Sequence, residues 1–391
     1  MTPDQSTPDA PEFTRLPDLA SRALAGSVVY ANDELFAERE NLIKPGRAVF
    51  SAEDFGHKGK VYDGWETRRR REPGHDYAVV RLGVPGVVRG VVVDTSWFKG
   101  NYPPHASVEA TGVEGYPSPD ELQSADWVTL VPTSEVAGDV DNLFPVEDDR
   151  RFTHVRLSIY PDGGVARFRV HGEPMPDPRL LTGTVDLAAA EHGADVVDCS
   201  NMFYSSPSQI LQPGRARIMG DGWENARRRD DANDYVLVRL AARGAVRRVE
   251  VDTSYFVGNA PGWVSLRGID ATSAALEDES AWTELVARTR VQPDTRHFYR
   301  VREPAAFTHI RLDVYPDGGL ARLRVHGEIA PDSLTDATVR WLDSLPEQHA
   351  LAVLTADGDL ARDEAEKLVA GRPWGSADAV PADVLRALLG G

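Results

Sequence analysis

The sequence predicts an all-β protein: two tandem β-sandwich domains of jelly-roll type, followed by a small helical appendage at the C-terminus. Three features of the 391-residue chain predict it. Long stretches recur in the same order, so one domain is duplicated. Inside each copy, apolar and polar residues alternate at the two-residue period of a half-buried strand. The intervening stretches are rich in Pro, Asp, Gly and Asn, the residues that make turns.

The duplication is extensive. NLIKPGRA at 41–48 answers QILQPGRA at 209–216, and DGWETRRRREPGHDY at 63–77 returns as DGWENARRRDDANDY at 221–235. VDTSWFKGN at 93–101 returns as VDTSYFVGN at 251–259, and FTHVRLSIYPDGGVARFRVHGE at 152–173 as FTHIRLDVYPDGGLARLRVHGE at 307–328. A period of this length marks a duplicated domain, not a solenoid. The predicted division is a disordered polar N-terminus at 1–21, a first sandwich at 22–175, a connector at 176–189, a second sandwich at 190–330 and a helical tail at 331–391.

Each element follows from its pattern. AVVRL and VRGVVVDTS are rich in β-branched residues and read as two strands. In FTHVRLSIY, Val155, Leu157 and Ile159 take one face, and His154, Arg156, Ser158 and Tyr160 the other. PDGG at 161–164 reads as a tight hairpin turn. The return strand then buries Ala166, Phe168 and Val170 and presents Arg167, Arg169 and His171. In the tail, SLTDATVRWLDSL, EQHALAVLTADGDLARDEAEKLVAG and ADAVPADVLRALLGG have helical spacing, with Thr335 or Asp336 as the first cap. These helices are expected to pack on the second sandwich.

Composition excludes several functions. The formal charge is −18, from 61 acidic and 43 basic residues. That balance argues against nucleic acid and against anionic membrane surfaces. Cys199 is the single cysteine, so no intramolecular disulfide forms and a reducing, cytoplasmic location is expected. The first residues lack the basic and apolar regions of a signal peptide, and no apolar run has the length of a membrane span.

Chemistry concentrates in the duplicated motifs. Trp65 and Glu66 are adjacent, so on a strand they face opposite ways. Arg69, Arg70 and Arg71 match Arg227, Arg228 and Arg229, and a guanidinium fork suits a carboxylate. The alternative is that these arginines pair with Asp76, Asp94 and their copies to stitch loops together. Asp94, Thr95 and Ser96 end a strand, and Gly100 with Asn101 permits a turn. Such side chains either face a pocket or cap the loop as an Asx-turn. His154 and His171 recur as His309 and His326, and a hairpin could bring each pair together as metal ligands. No HxH, HExxH or cysteine cluster accompanies them. No Gly-x-Ser-x-Gly elbow and no phosphate-cradling loop occurs.

Together, DGWETRRRR, VDTSWFKGNYPPHASVEA and the duplicated YPDGG-x-AR-x-RVHGE resemble the allantoicase (allantoate amidinohydrolase) family over almost the whole of both copies. The resemblance implies two galactose-binding-like jelly rolls, hydrolysis of allantoate to ureidoglycolate and urea in purine and ureide catabolism, and a homo-oligomer. Allantoate carries one carboxylate and two ureido arms. Arg69, Arg70, Arg227 and Arg228 are the candidates to hold the carboxylate, and Thr95, Asn101 and Asn259 the ureido groups. Glu66 and Asp94, with Glu224 and Asp252, are the candidate acids and bases. No cofactor is expected; a divalent metal on the four histidines is the open alternative. Two departures stand out. The position of Trp97 and Tyr255 is often histidine in that family, and the second copy has Asn225 and Ala226 in place of Thr67 and Arg68. The tail is similar in its helical segments to ureidoimidazoline decarboxylase, too briefly to assign a second activity.

Two other classes compete. A sugar-binding module would expose aromatic platforms, whereas the shared aromatics here sit beside arginines and acids. A purely structural oligomer would duplicate apolar faces without shared charged clusters. A related ureide hydrolase is the nearest enzymatic alternative.

Overall fold

The computed structural model describes residues 11–51, 53–56 and 59–390. Two tandem jelly-roll sandwiches carry the duplicated motifs. In each, one 19-residue strand, Asp76–Asp94 or Asp234–Asp252, organises the rest. The two short strands expected there are therefore one. The run of valines continues through the glycine-containing middle, and its register with the neighbouring strand shifts between Arg81 and Gly86. The first half, Asp76–Arg81, pairs with Arg151–Tyr160 and with Ser27–Ala31. The second half pairs with Arg167–Pro174 and Asp141–Pro145. All these pairings are antiparallel and recur in the second copy.

PDGG is consequently not a tight hairpin turn. Arg151–Tyr160 and Arg167–Pro174 pair with different halves of the long strand, so residues 161–166 carry the chain from one to the other. Gly163 and Gly318 sit at φ 147° and 129°, where a side chain is strained. On the way, Gly164–Val165 adds antiparallel to Trp65–Glu66. This small ribbon positions the candidate site.

The predicted apolar face is the core: Val155, Leu157, Ile159, Ala166, Phe168 and Val170 are fully buried. The opposite face is less open than alternation implies, because His154, Ser158 and Arg167 are buried too. Residues 11–21 are not a disordered tail: Leu19 N–H donates to Val170 O at 2.7 Å, and Asp18 accepts from Val170 N at 2.9 Å. The second copy repeats this at Leu187 and Asp186 with Val325, at 2.7 and 2.8 Å. The connector therefore ends inside the second sandwich, where Thr184–Asp186 pairs with the strand Arg322–Ile329. Residues 1–10 lie outside the described residues.

The tail forms four α-helices: Pro331–Ser344, Glu347–Ala356, Arg362–Ala370 and Ala382–Leu388. The first begins at Pro331, which suits a first turn. Thr335 is thus inside the helix, bonding Pro331 O at 2.8 Å, and neither it nor Asp336 is the cap. The tail does not rest on the second sandwich alone. Ala330 N bonds Arg243 O at 2.9 Å, while Ser344 Oγ reaches Met175 Sδ at 2.9 Å and Arg179 stacks over Trp341 at 4.8 Å. It straddles the end of the first copy, the connector and the second copy. Among the described residues, no helix is long and apolar enough to cross a membrane.

Candidate active site

Trp65 and Glu66 divide as adjacent strand residues must. Trp65 is fully buried and its indole N–H donates to Asp33 O at 2.7 Å. Trp223 does the same with Asn201 O at 2.8 Å. Glu66 turns the other way. Its backbone is held between Ala37 and Gly164, and its Oε1 accepts from Asn101 Nδ2 at 2.7 Å. Its Oε2 is buried and has no hydrogen-bond partner. Among the described residues it is the one glutamate with such an oxygen. Burial pushes the Glu66 carboxyl above its ordinary pKa of 4.5, with the Asn101 bond pulling weakly the other way. The second copy builds the same pair, Asn259 Nδ2 to Glu224 Oε1 at 2.5 Å. The loop VDTS-x-F-x-GN thus delivers an asparagine to the glutamate of DGWE, a meeting that residue spacing does not foretell.

Other candidates have different duties. Asp94 is buried and accepts the N–H of Ser96 at 2.7 Å, and Asp252 accepts that of Ser254 at 2.8 Å. Both make Asx-turns that end the long strand. Thr95 is fully buried, and its hydroxyl is spent on Ala137 O at 2.7 Å and Val140 O at 3.0 Å. It pins a neighbouring loop.

The arginines split. Arg70 pairs with Asp76 at 2.5 Å and Arg228 with Asp234 at 3.0 Å, both acids being almost fully buried. Their backbone N–H groups also bond Asp162 and Asp317 of the PDGG loops, at 2.8 Å each. These contacts stitch the loops together. Arg69 and Arg227 are exposed and form no ion pair among the described residues, which leaves their forks free. Sequence reasoning missed Arg167 and Arg322 of the AR-x-R motif. Arg167 bonds Asp63 at 2.6 Å, the carbonyl of Asp63 at 2.9 Å and that of Gly46 at 3.2 Å, clamping KPGRA onto DGWE. The shared KPGRA and AR-x-R strings were the available signal.

The histidines do not converge. His154 Nδ1 contacts Thr153 Oγ1 at 2.8 Å and His171 Nδ1 faces Leu16 O at 2.7 Å. Burial pushes His154 down to about 4. With no hairpin between their strands, the expected approach does not occur, and His309 repeats the contact of His154 through Thr308. Among the described residues, no group of three or more His, Cys, Asp or Glu could hold a metal ion. Cys199 is half-buried, and burial followed by the Asp198 charge pushes its thiol up, away from reactivity.

A cavity of about 470 Å³ adjoins the ribbon. Phe36, Ala37, Asn41, Lys44, Tyr62 and Asp63 are among its walls. Phe36 and Ala37 also donate their backbone N–H groups to Glu66 O at 3.3 and 3.2 Å, so the cavity lies against the strand that carries the orphan carboxyl.

A glutamate held by an asparagine amide thus recurs in both copies. The family model described as Allantoicase repeat matches residues 17–175 and 185–330. The chain belongs to the allantoicase family. A probable allantoicase of Nocardia farcinica is 57% identical over 321 residues, covering 81% of this chain and 95% of that protein. The allantoicase of Dictyostelium discoideum is 41% identical over 336 residues, covering 83% and 90%. The crystal structure of allantoicase from Saccharomyces cerevisiae superposes with a TM-score of 0.70 at 33% identity, covering 81% of this chain and 96% of that one.

The positions of Thr67, Arg68 and Trp97 and their copies have defined structural roles. Thr67 Oγ1 accepts from Gly163 N at 3.2 Å, and Asn225 Oδ1 accepts from Gly318 N at 2.7 Å, so either side chain fastens its crossing loop. Arg68 pairs with Asp33 at 2.6 Å; in the second copy Asn201 stands in for the aspartate and bonds the backbone of Ala226 at 2.8 Å. The second copy has neither the acid nor the base of this pair. Trp97 and Tyr255 share the left-handed backbone, φ 71° and 69°, and both donate their N–H to an aspartate, Asp139 or Asp294, at 2.8 Å. What this allantoicase position keeps in both copies is its backbone geometry.

Proposed function

We propose that the chain hydrolyses allantoate, releasing urea and leaving ureidoglycolate, as a C–N hydrolase of purine and ureide catabolism. Membership of the allantoicase family supports the reaction, and the buried Glu66 carboxyl with one oxygen lacking a partner carries the chemistry. Loss of urea needs a proton on the departing nitrogen and one removed from the attacking water. A carboxyl whose pKa is raised by burial exchanges protons nearer neutral pH than a solvated one. Asn101 fixes Oε1 and so leaves Oε2 to make the exchange. Arg69 and Arg227, exposed and without an ion pair among the described residues, are the forked cations available to the substrate carboxylate. Asp94, Thr95, Arg70 and their copies act behind them by shaping the loops.

Cytoplasmic location and assembly into a homo-oligomer belong to the same reading, and light scattering of the purified chain tests the second. The activity itself is tested by incubating purified protein with allantoate, with and without a chelator, and measuring urea. Urea in either condition is expected; none in both would remove allantoate as the substrate.

A further inference from the structure

The two copies differ beside their glutamates. Between the shared GRA and DGW, the first copy has residues 49–62 and the second only residues 217–220. The described residues of the longer segment pack against the loop that carries Asn101. Phe50 stacks on Trp97 with ring centres 5.7 Å apart, and Tyr62 stacks on Phe98 at 6.2 Å. Trp97 and Phe98 belong to the loop that delivers Asn101, so the additional residues rest on the loop that holds Glu66. Val49, Val61 and Tyr62 also wall the 470 Å³ cavity. Lys44, another wall residue, is replaced by Gln212 in the second copy. There, Asn259 divides its amide between Glu224 at 2.5 Å and Met219 Sδ at 3.2 Å. The buried oxygen without a partner occurs on Glu66 and not on Glu224.

We propose that the two copies have divided their labour: the first, with Val49, Val61 and Tyr62 walling the adjoining cavity, turns substrate over through Glu66, and the second keeps the Glu224–Asn259 pair as a framework contact. The inference rests on the allantoate reading above. A carboxyl oxygen that is buried and without a partner, as on Glu66, is shielded from water and must exchange its proton with whatever enters beside it. Glu224 keeps the asparagine contact without such an oxygen.

The test compares Glu66→Gln with Glu224→Gln in the full chain, measuring kcat and KM for urea release, with a thermal melt for each. Glu66→Gln is expected to lower kcat by roughly a hundredfold more than Glu224→Gln does. Equal losses, no loss in either, or a larger loss from Glu224→Gln overturns the division of labour. If Glu66→Gln fails to fold, Asn101→Ala against Asn259→Ala makes the same comparison, with the same ordering expected. Failure of the wild-type chain to release urea is a different result, and it overturns the allantoate reading itself.

Discussion

At the scale of single residues, neighbours in sequence take opposite roles. Asp94 and Thr95 lie beside the glycine-asparagine turn that reaches Glu66, yet both are consumed by backbone groups. Replacing Asp94 with alanine therefore leaves a buried N–H unpaired, a cost of about 1–2 kcal/mol. The expected outcome is a lower melting temperature with kcat for urea release changed far less than by Glu66→Gln; a collapse of kcat in a fully folded Asp94→Ala protein would return Asp94 to the catalytic group. Glu66 itself was legible from its place in a duplicated motif. Its partner was not, because Glu66 and Asn101 are brought together by folding and not by proximity in sequence. The arginine run was ambiguous for a physical reason: a guanidinium binds a buried aspartate as well as it binds a substrate carboxylate. Only burial separates Arg70, facing the buried Asp76, from the free Arg69.

Among elements, the ribbon of Trp65–Glu66 and Gly164–Val165 decides where the carboxyl sits. Gly164 packs directly on the Phe98 ring, which a Cβ there would strike, and Gly319 meets Phe256 in the same way. Gly164→Ala should therefore cost about 1–3 kcal/mol through overpacking, measured by denaturant unfolding. An unchanged midpoint would mean that the ribbon is not fixed by this contact. Strand identity and inward faces were readable from alternation, as Val155, Leu157 and Ile159 show. Connectivity was not. A Pro-Asp-Gly-Gly string supplies the same conformations to a hairpin and to a crossing loop, and only the pairing of both flanking strands with Asp76–Asp94 distinguishes them. The length of that strand was hidden too, since glycines within a valine run resemble a break.

Over the whole molecule, the duplication gives the fold and a pair of pseudo-equivalent sites, while the unduplicated parts make the copies unequal. One such part is residues 49–62. The other is the helical tail, whose Trp341 is fully buried beneath Arg179 of the connector, itself paired with Asp357. Trp341→Ala should cost about 3–5 kcal/mol, read in calorimetry as a lower melting temperature. If the tail merely hangs from the second sandwich, the change would leave the main transition in place. The tail's helices could be read from their spacing. Its docking could not, because the surfaces it covers, around Met175 and Arg243, belong to different copies.

The pairing of Glu66 with Asn101 is the hinge between fold and reaction, and the pH dependence of kcat/KM for urea release reports on it directly. The Asn101 bond lowers the Glu66 pKa against the upward push of burial, so removing the amide raises that pKa further. Compared with wild type, Asn101→Ala is expected to move the limb assigned to Glu66 to higher pH, and the wild-type limb itself should lie above the ordinary carboxylate value of 4.5. A limb that stays in place when Asn101 is removed, or that already sits at the ordinary value, would contradict Glu66 as the proton-transfer group.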